Sequence, residues 1–512
     1  MNDSTASTEI LRSTKSTFVG GILLVLAMGI GARLPAQAPS LPDTPAQAVT
    51  QHETAQADTQ HETAQAVTQN ETARSVTQID PVSSISRNMP GQASMQEMPA
   101  ETGQPTTFPR IAPEDAGFCP DRLMRLTHVL NDYADQQRLS GGVALVLRDG
   151  HELFYEAFGM MDIESGKEMA HDALFRIASQ TKAIVSVAVM ILQEEGKLLI
   201  SDPVGNYLPE FRSTTVAVLR NGENGQDGPG GYDIVPAKRP VTIRELLTHS
   251  SGIGYGYGIA ADMWKEAGIQ GWYFADRDEP IRETVRRMAD LPFDAHPGEQ
   301  YVYGYSTDIL GALVEVVSGQ PLDLYLKENI FEPLGMHDTH FYVPEEKVSR
   351  LATVYSATDG PGIVRAPDPG HMVGQGHYVQ GPRKSFSGGA GLVSTAYDYA
   401  RFLQMMLYGG QLDGNRILSP STVELMTVNH LTEIPFRPGR GMGLGFDVLE
   451  HLGARGTPGA LGDYGWGGAY HSTYWVSPQD GLVVVFFTQL RPSGGSDIHG
   501  KLRTLLYQAM MY

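Results

Sequence analysis

A single cysteine, Cys119, in 512 residues rules out an intramolecular disulfide, so a disulfide-stapled fold is excluded whatever compartment the chain occupies. Cys119 itself is expected to be a small buried apolar side chain rather than a catalytic thiol. Basic residues are also scarce. With 38 Lys+Arg against 58 Asp+Glu the formal charge is −20, and no Lys/Arg run forms a patch. Such a chain is repelled by phosphate backbones and anionic lipid surfaces, so nucleic acid is not an expected partner. No Gly-x-Ser-x-Gly occurs, which leaves an α/β-hydrolase reading without its nucleophile elbow. The His-Glu pairs at His52 and His61 have no second histidine at helical spacing and are not metalloprotease motifs. What is present in quantity is apolar side chain: 41% hydrophobic residues suffice for a substantial core.

The chain opens like an export address. Arg12 and Lys15 precede an apolar run from Phe18 to Ala32, and Ala36-Gln37-Ala38 offers the small residues of a cleavage site. A signal peptide is expected over 1–38, giving a periplasmic or secreted protein. The run is shorter than the roughly 20 residues a spanning helix needs, and the alternative is an uncleaved membrane anchor. A nine-residue repeat follows: Gln47 to Ala55 (QAVTQHETA), Gln56 to Ala64 (QADTQHETA), Gln65 to Ala73 (QAVTQNETA), then a broken copy from Arg74. Rich in Gln, Thr, Ala and Glu, this segment has too little apolar surface to offset the entropy of ordering, so 39–107 is expected to be a low-complexity, disordered tether and 108–512 the folded domain.

The folded part begins with a helical pattern at Leu123, Leu126, Val129, Leu130 and Tyr133. A hairpin follows, Gly142 to Leu147 returning as Leu153 to Phe158 around Arg148-Asp149-Gly150. Near the other end, Ser472 to Val476 and Leu482 to Thr488 form a second hairpin, and a last helix runs from about Ile498 to Met510. Between them lie helical patterns such as Thr181 to Glu195 and Asp308 to Ser318, with loops such as Asn221 to Gly231. The expected fold is α/β of the α+β kind: one antiparallel sheet built from N- and C-terminal strands, flanked by terminal helices, with a mostly helical lobe inserted and a site in the cleft between them.

Ser179-Gln180-Thr181-Lys182 stands where strand-like Leu174 to Ile177 gives way to an apolar helix. Three residues apart on a helix, Ser179 and Lys182 share a face. The helix dipole favours charge developing on the serine oxygen, and burial of Lys182 would disfavour its charged form and make it a proton acceptor. By itself the spacing also fits an N-cap serine followed by a solvated lysine.

The sequence resembles the serine β-lactamase and penicillin-binding-protein group, for which Ser-x-x-Lys is the nucleophile motif. It is most similar to the class C β-lactamase relatives called family VIII carboxylesterases. The resemblance runs from roughly residue 110 to the C-terminus, through Asp202-Pro203-Val204, Tyr207-Leu208-Pro209, Thr242 to Gly252 (TIRELLTHSSG), Pro297-Gly298, Pro333 to Met336 and Gly388 to Thr395 (GGAGLVST). It implies that Tyr303, in Tyr303-Gly304-Tyr305, is the catalytic base acting with Lys182, with Tyr305 as the alternative. It also implies that Trp466-Gly467-Gly468 replaces the lactamase Lys-Thr-Gly as a substrate-binding strand, with the amides of Ser179 and Ala469 forming the oxyanion hole. An indole lacks the charge that would hold a β-lactam carboxylate. His249 is expected to stabilise its loop, His471 is a closer case that could line the pocket, and Gly254 to Gly258 is expected to be a flexible loop, with pocket lining as the alternative.

These readings together describe a serine esterase working through an acyl-enzyme on a small-molecule ester, with no metal or organic cofactor. The rivals are a D-amino-acid peptidase or weak β-lactamase, an acyltransferase using the same acyl-enzyme, and a catalytically silent cell-wall-binding protein.

Overall fold

The apolar runs GVALVL and LVVVFFT do not alternate with polar residues as a strand exposed on one face would, and the reason is that both faces of their sheet are covered. In the computed structural model, which describes residues 107–220 and 231–511, strands β1 (Gly141–Arg148) and β8 (Leu482–Thr488) pair antiparallel from Gly142↔Thr488 to Arg148↔Leu482. Their side chains divide by parity. Val143, Leu145, Leu147, Val483, Val485 and Phe487 enter the larger core under the helical lobe. Ala144, Val146, Leu482, Val484 and Phe486 enter a second core under the terminal helices α1 (Pro120–Asp135) and α4 (Ile498–Tyr507). The predicted signal peptide, the tether as far as 106 and loop residues 221–230 lie outside the described residues.

The β1/β8 pairing makes one antiparallel sheet of the two predicted hairpins. β2 (His151–Asp162) and β3 (Lys167–Glu168) extend it on one side, β7 (Ser472–Ser477) and β6 (Tyr464–Gly468) on the other. Two short strands the sequence did not announce, β4 (Arg440–Met442) and β5 (Asp447–Leu449), complete eight strands in the order β4-β5-β6-β7-β8-β1-β2-β3. With strands from both chain ends around an inserted lobe, the architecture is the expected β-lactamase-like one.

Within the lobe, α2 (Thr181–Glu194) and α3 (Ser306–Ser318) pack against each other. Every residue of α2 from Thr181 to Leu192 is buried, as a helix apolar all round must be. The lobe is less purely helical than its pattern suggested: Thr215–Leu219 pairs with Tyr232–Pro236, and Tyr355–Ala357 with Ile363–Arg365. Cys119 departs from expectation. It is only half-buried, at the N-cap of α1, where its amide donates to Ala509 across the ends of the two terminal helices.

Candidate active site

Between Ala173 and Leu192 every residue is buried except Ser179. It sits in a single 3₁₀ turn, Ala178–Gln180, linking the short strand Phe175–Arg176 to α2. The turn is sharp because Ala178 takes a left-handed φ of 43°, a conformation that costs an L-residue roughly 1–2 kcal/mol. That cost is met by anchoring on both sides. Phe175–Arg176 pairs with Val393–Ser394, the Ile177 amide donates to Leu392 O at 3.0 Å, and the Leu392 amide donates to Thr181 Oγ1 at 3.1 Å. The GGAGLVST block thus frames the serine turn.

Lys182, 2% exposed, lies one helical step inward. Its ammonium donates to Gly389 O at 2.7 Å and to Tyr255 Oη at 3.1 Å, and stands 4.8 Å from the centre of the Tyr303 ring. Asp308 of α3 holds this corner from behind, accepting from Ser387 Oγ at 2.6 Å and the Gly389 amide at 3.0 Å. Burial raises the Asp308 pKa, and the charge of Lys182 opposes the rise. Any side chain at Gly389 would strike the Asp308 carboxylate.

Tyr303 comes from the loop leading into α3. Withdrawal from solvent works to raise its pKa, but the charge of Lys182 and hydrogen bonds with Ser179, Trp466 and Lys182 outweigh it, leaving the phenol below its ordinary value. The Trp466 indole N–H donates to Tyr303 Oη at 3.2 Å. Tyr305, the alternative base, is fully buried, donates to Tyr255 O at 3.2 Å and is pushed well above the phenol value by burial. The geometry therefore separates the two tyrosines: Tyr303 meets Ser179 and Lys182, while Tyr305 packs on Trp264.

β6 brings Trp466, Gly467 and Gly468 along the serine turn. A Cβ on Gly468 would lie 2.6 Å from Ile177 O, so only glycine allows this approach. Beyond it comes Ala469; among the described residues, neither its amide nor that of Ser179 donates to a protein acceptor. Two free backbone amides are what an oxyanion hole requires.

His249 faces the site as a ring rather than as a ligand. Its carbonyl accepts from the Val302 amide at 2.8 Å, fixing the loop that carries Tyr303, and its imidazole packs 4.7 Å from the Tyr303 ring. Burial, then the charge of Lys182, hold its pKa well below 6.5, so it is neutral. His471 turns out differently from the expected pocket lining: it stacks on His499 of α4 at 4.1 Å, and burial, then the charge of His499, depress its pKa to about 3.

Sequence reasoning gave Tyr255 no role of its own: it belongs to the Gly254–Gly258 run read as a flexible loop, with pocket lining only the alternative. Its ring sits edge-on to Tyr303 at 5.5 Å and to Tyr305 at 5.1 Å, and its hydroxyl meets Lys182. Its place just after the Ser-Ser-Gly block was the available signal. Arg437 was missed as well. Half-exposed, it lies 5.1 Å over the Trp466 ring and shares Asp447 with Arg440, so a cation does border the indole.

Comparison with known proteins identifies the family and the fold. The family model described as Beta-lactamase matches residues 126–509. The esterase EstB of Burkholderia gladioli is 34% identical over 384 residues, covering 73% of this chain and 91% of that one. The acyltransferase calJ of Penicillium decumbens is 27% identical over 379 residues, covering 68% and 84%. Among solved structures, EstCE1, described as a hydrolase with promiscuous acyltransferase activity, is 28% identical with a TM-score of 0.63, covering 77% of this chain and 99% of that one. With its eight-stranded sheet, its Ser179-x-x-Lys182 turn and a family match spanning nearly the whole folded part, the chain belongs to the beta-lactamase family, among relatives that include esterases and acyltransferases.

Proposed function

We propose that the protein is a serine esterase in which Ser179 is the nucleophile, Tyr303 its base and Lys182 the cation that keeps Tyr303 ionisable. The observation that carries this reading is the convergence of the Lys182 ammonium and the Trp466 indole N–H on Tyr303, beside the one accessible residue of the serine turn. As Ser179 Oγ bonds to the ester carbonyl carbon, its proton passes to Tyr303, and the carbonyl electrons collect on an oxygen held by the amides of Ser179 and Ala469. Tyr303 then returns the proton to the departing alkoxide as the C–O bond breaks. Water gives a proton to the Tyr303 phenolate as it attacks the acyl-enzyme, and Tyr303 passes that proton to Ser179 Oγ as the acid departs. Trp466, Gly467 and Gly468 form the wall along which the acyl group lies.

An ester is favoured over a β-lactam because an uncharged indole, Trp466, takes the strand position that the resemblance gives to a lysine, and the bordering Arg437 is paired with Asp447. Transfer of the acyl group to an alcohol instead of water is the second reading, favoured by the description of EstCE1, and needs no other residue. Export through a cleaved 1–38 segment is proposed on its sequence pattern, and N-terminal sequencing of the mature protein tests it.

The test of function compares wild type with Ser179→Ala on a short-chain p-nitrophenyl ester, alongside a chromogenic cephalosporin. Ester turnover that disappears in the variant, with slow or no cephalosporin opening, is the expected result. Rapid cephalosporin opening moves the protein to the lactamases, and undiminished ester turnover in Ser179→Ala removes the nucleophile.

A further inference from the structure

Away from Ser179, the tight loop around residues 367–377 presents two histidines to one carboxylate. Asp276, His371 and His377 each offer a ligand atom, and these atoms lie within 4.8 Å of one another. His371 Nδ1 is already 3.0 Å from Asp276 Oδ2, while the other carboxylate oxygen, Oδ1, is buried without a partner among the described residues. His377 is oriented by Tyr273, whose hydroxyl lies 3.1 Å from Nδ1 and accepts from the His377 amide at 2.5 Å. With Nδ1–H directed at that oxygen, the Nε2 lone pair is left for a ligand, the arrangement that outer hydrogen bonds give metal-binding histidines.

The loop backbone is built for this placement rather than loosely draped. The Gln375 amide donates to Pro367 O at 2.8 Å and the Gly376 amide to Pro369 O at 2.6 Å, and a Cβ on Gly374 would overlap Pro367 O. His371 leaves this loop with a left-handed φ of 49°.

We propose that Asp276, His371 and His377 bind a divalent transition-metal ion of the zinc class. Two imidazoles and one carboxylate suit zinc, cobalt, nickel or copper, whereas calcium and magnesium select sets made wholly of oxygen. Tetrahedral zinc, with bonds of roughly 2.0–2.2 Å, spaces its ligands about 3.4 Å apart. The His371–Asp276 pair is already inside that spacing, and the three ligand atoms, within 4.8 Å of one another, need to draw together by at most about 1.4 Å. Water completes the shell. The site is coupled to the catalytic strand: Arg491 Nε donates to Met372 O at 2.9 Å and its Nη1 to Ala469 O at 3.4 Å, so a metal that pins the 371–377 loop also steadies the residue supplying one proposed oxyanion amide.

The experiment uses tag-free, chelator-stripped full chain titrated with Zn²⁺ by calorimetry, with Co²⁺ as a spectroscopic probe. One equivalent should bind, with a visible d–d band. His377→Ala and His371→Asn, the latter compatible with a left-handed backbone, should each weaken binding at least about tenfold, and the double variant should abolish it. Ser179→Ala should bind as wild type does. Circular dichroism of the metal-free variants checks that the fold is intact. The assignment is overturned if wild type binds no Zn²⁺, if the double variant retains the tight site, or if Ca²⁺ or Mg²⁺ competes on equal terms.

Discussion

Gly468→Ala is the substitution on which the account of the catalytic strand stands or falls. The added Cβ would lie 2.6 Å from Ile177 O, against the 3.4 Å at which ordinary contact begins. Both partners are backbone, so no flexible side chain yields; β6 and the serine turn must separate by about 0.8 Å. That displacement falls on the gap between the Ser179 and Ala469 amides, which in the proposed mechanism must both reach one developing oxyanion. Misplacement by about 1 Å costs on the order of 100-fold, and loss of one oxyanion donor costs about 10²–10³ in kcat, roughly 2.7–4 kcal/mol. Gly468→Ala should therefore lose about 10²-fold or more in kcat on a p-nitrophenyl ester with little change in KM. Gly500→Ala, in α4 and away from the site, is the control. Its Cβ would meet nothing within 4 Å, so kcat should stay at the wild-type level. Near-UV circular dichroism and thermal melting establish that both variants are folded. A folded Gly468→Ala enzyme with wild-type kcat, or equal losses in the two variants, would refute the reasoning.

Tyr303 ionises below the ordinary phenol range, so kcat/KM should rise with pH as phenolate forms and level off at a midpoint under about 10. Tyr303→Phe should lose that limb together with about 10²–10⁴ of the rate, and an unchanged pH profile in the variant would remove Tyr303 as the base. Stability has its own titrating group in Asp398, whose carboxylate accepts from the Asp338 amide at 2.7 Å and Thr339 Oγ1 at 3.0 Å. Burial, only partly opposed by the Asp338 amide, raises its pKa to about 7 from an unfolded value near 3.8. Because the folded state holds the proton more tightly, this contribution is full below pH 4 and is lost as pH rises through 7, by up to about 4 kcal/mol. Urea titrations from pH 4 to 8 should show wild type losing stability relative to Asp398→Asn, whose neutral amide still accepts both hydrogen bonds; parallel curves would contradict this.

Much of the frame was legible because local patterns and their burial agree. The runs Gly142 to Leu147 and Leu482 to Thr488 became central strands within a residue of their expected ends, and the almost wholly apolar stretch after Lys182 became a helix buried on every side. Period and composition carry that information without reference to partners. The short strands β4 and β5 were not legible, since three-residue strands have no period to read and exist only because β6 offers them an edge.

The candidate site divides the same way. Sequence by itself singled out Ser179 and Lys182, because the motif lies where a strand-like run gives way to an apolar helix and is accompanied by several further blocks of the resemblance in order. Tyr303 and Trp466 lie far along the chain, and their meeting, with Tyr255 and Gly389 on the Lys182 ammonium, belongs to the tertiary structure. So does the parting of His471 to the terminal helices and of Tyr305 to the core. A residue type records what chemistry a side chain can do, but its protonation and partners depend on charges and burial contributed by distant segments, and only the folded chain brings these together.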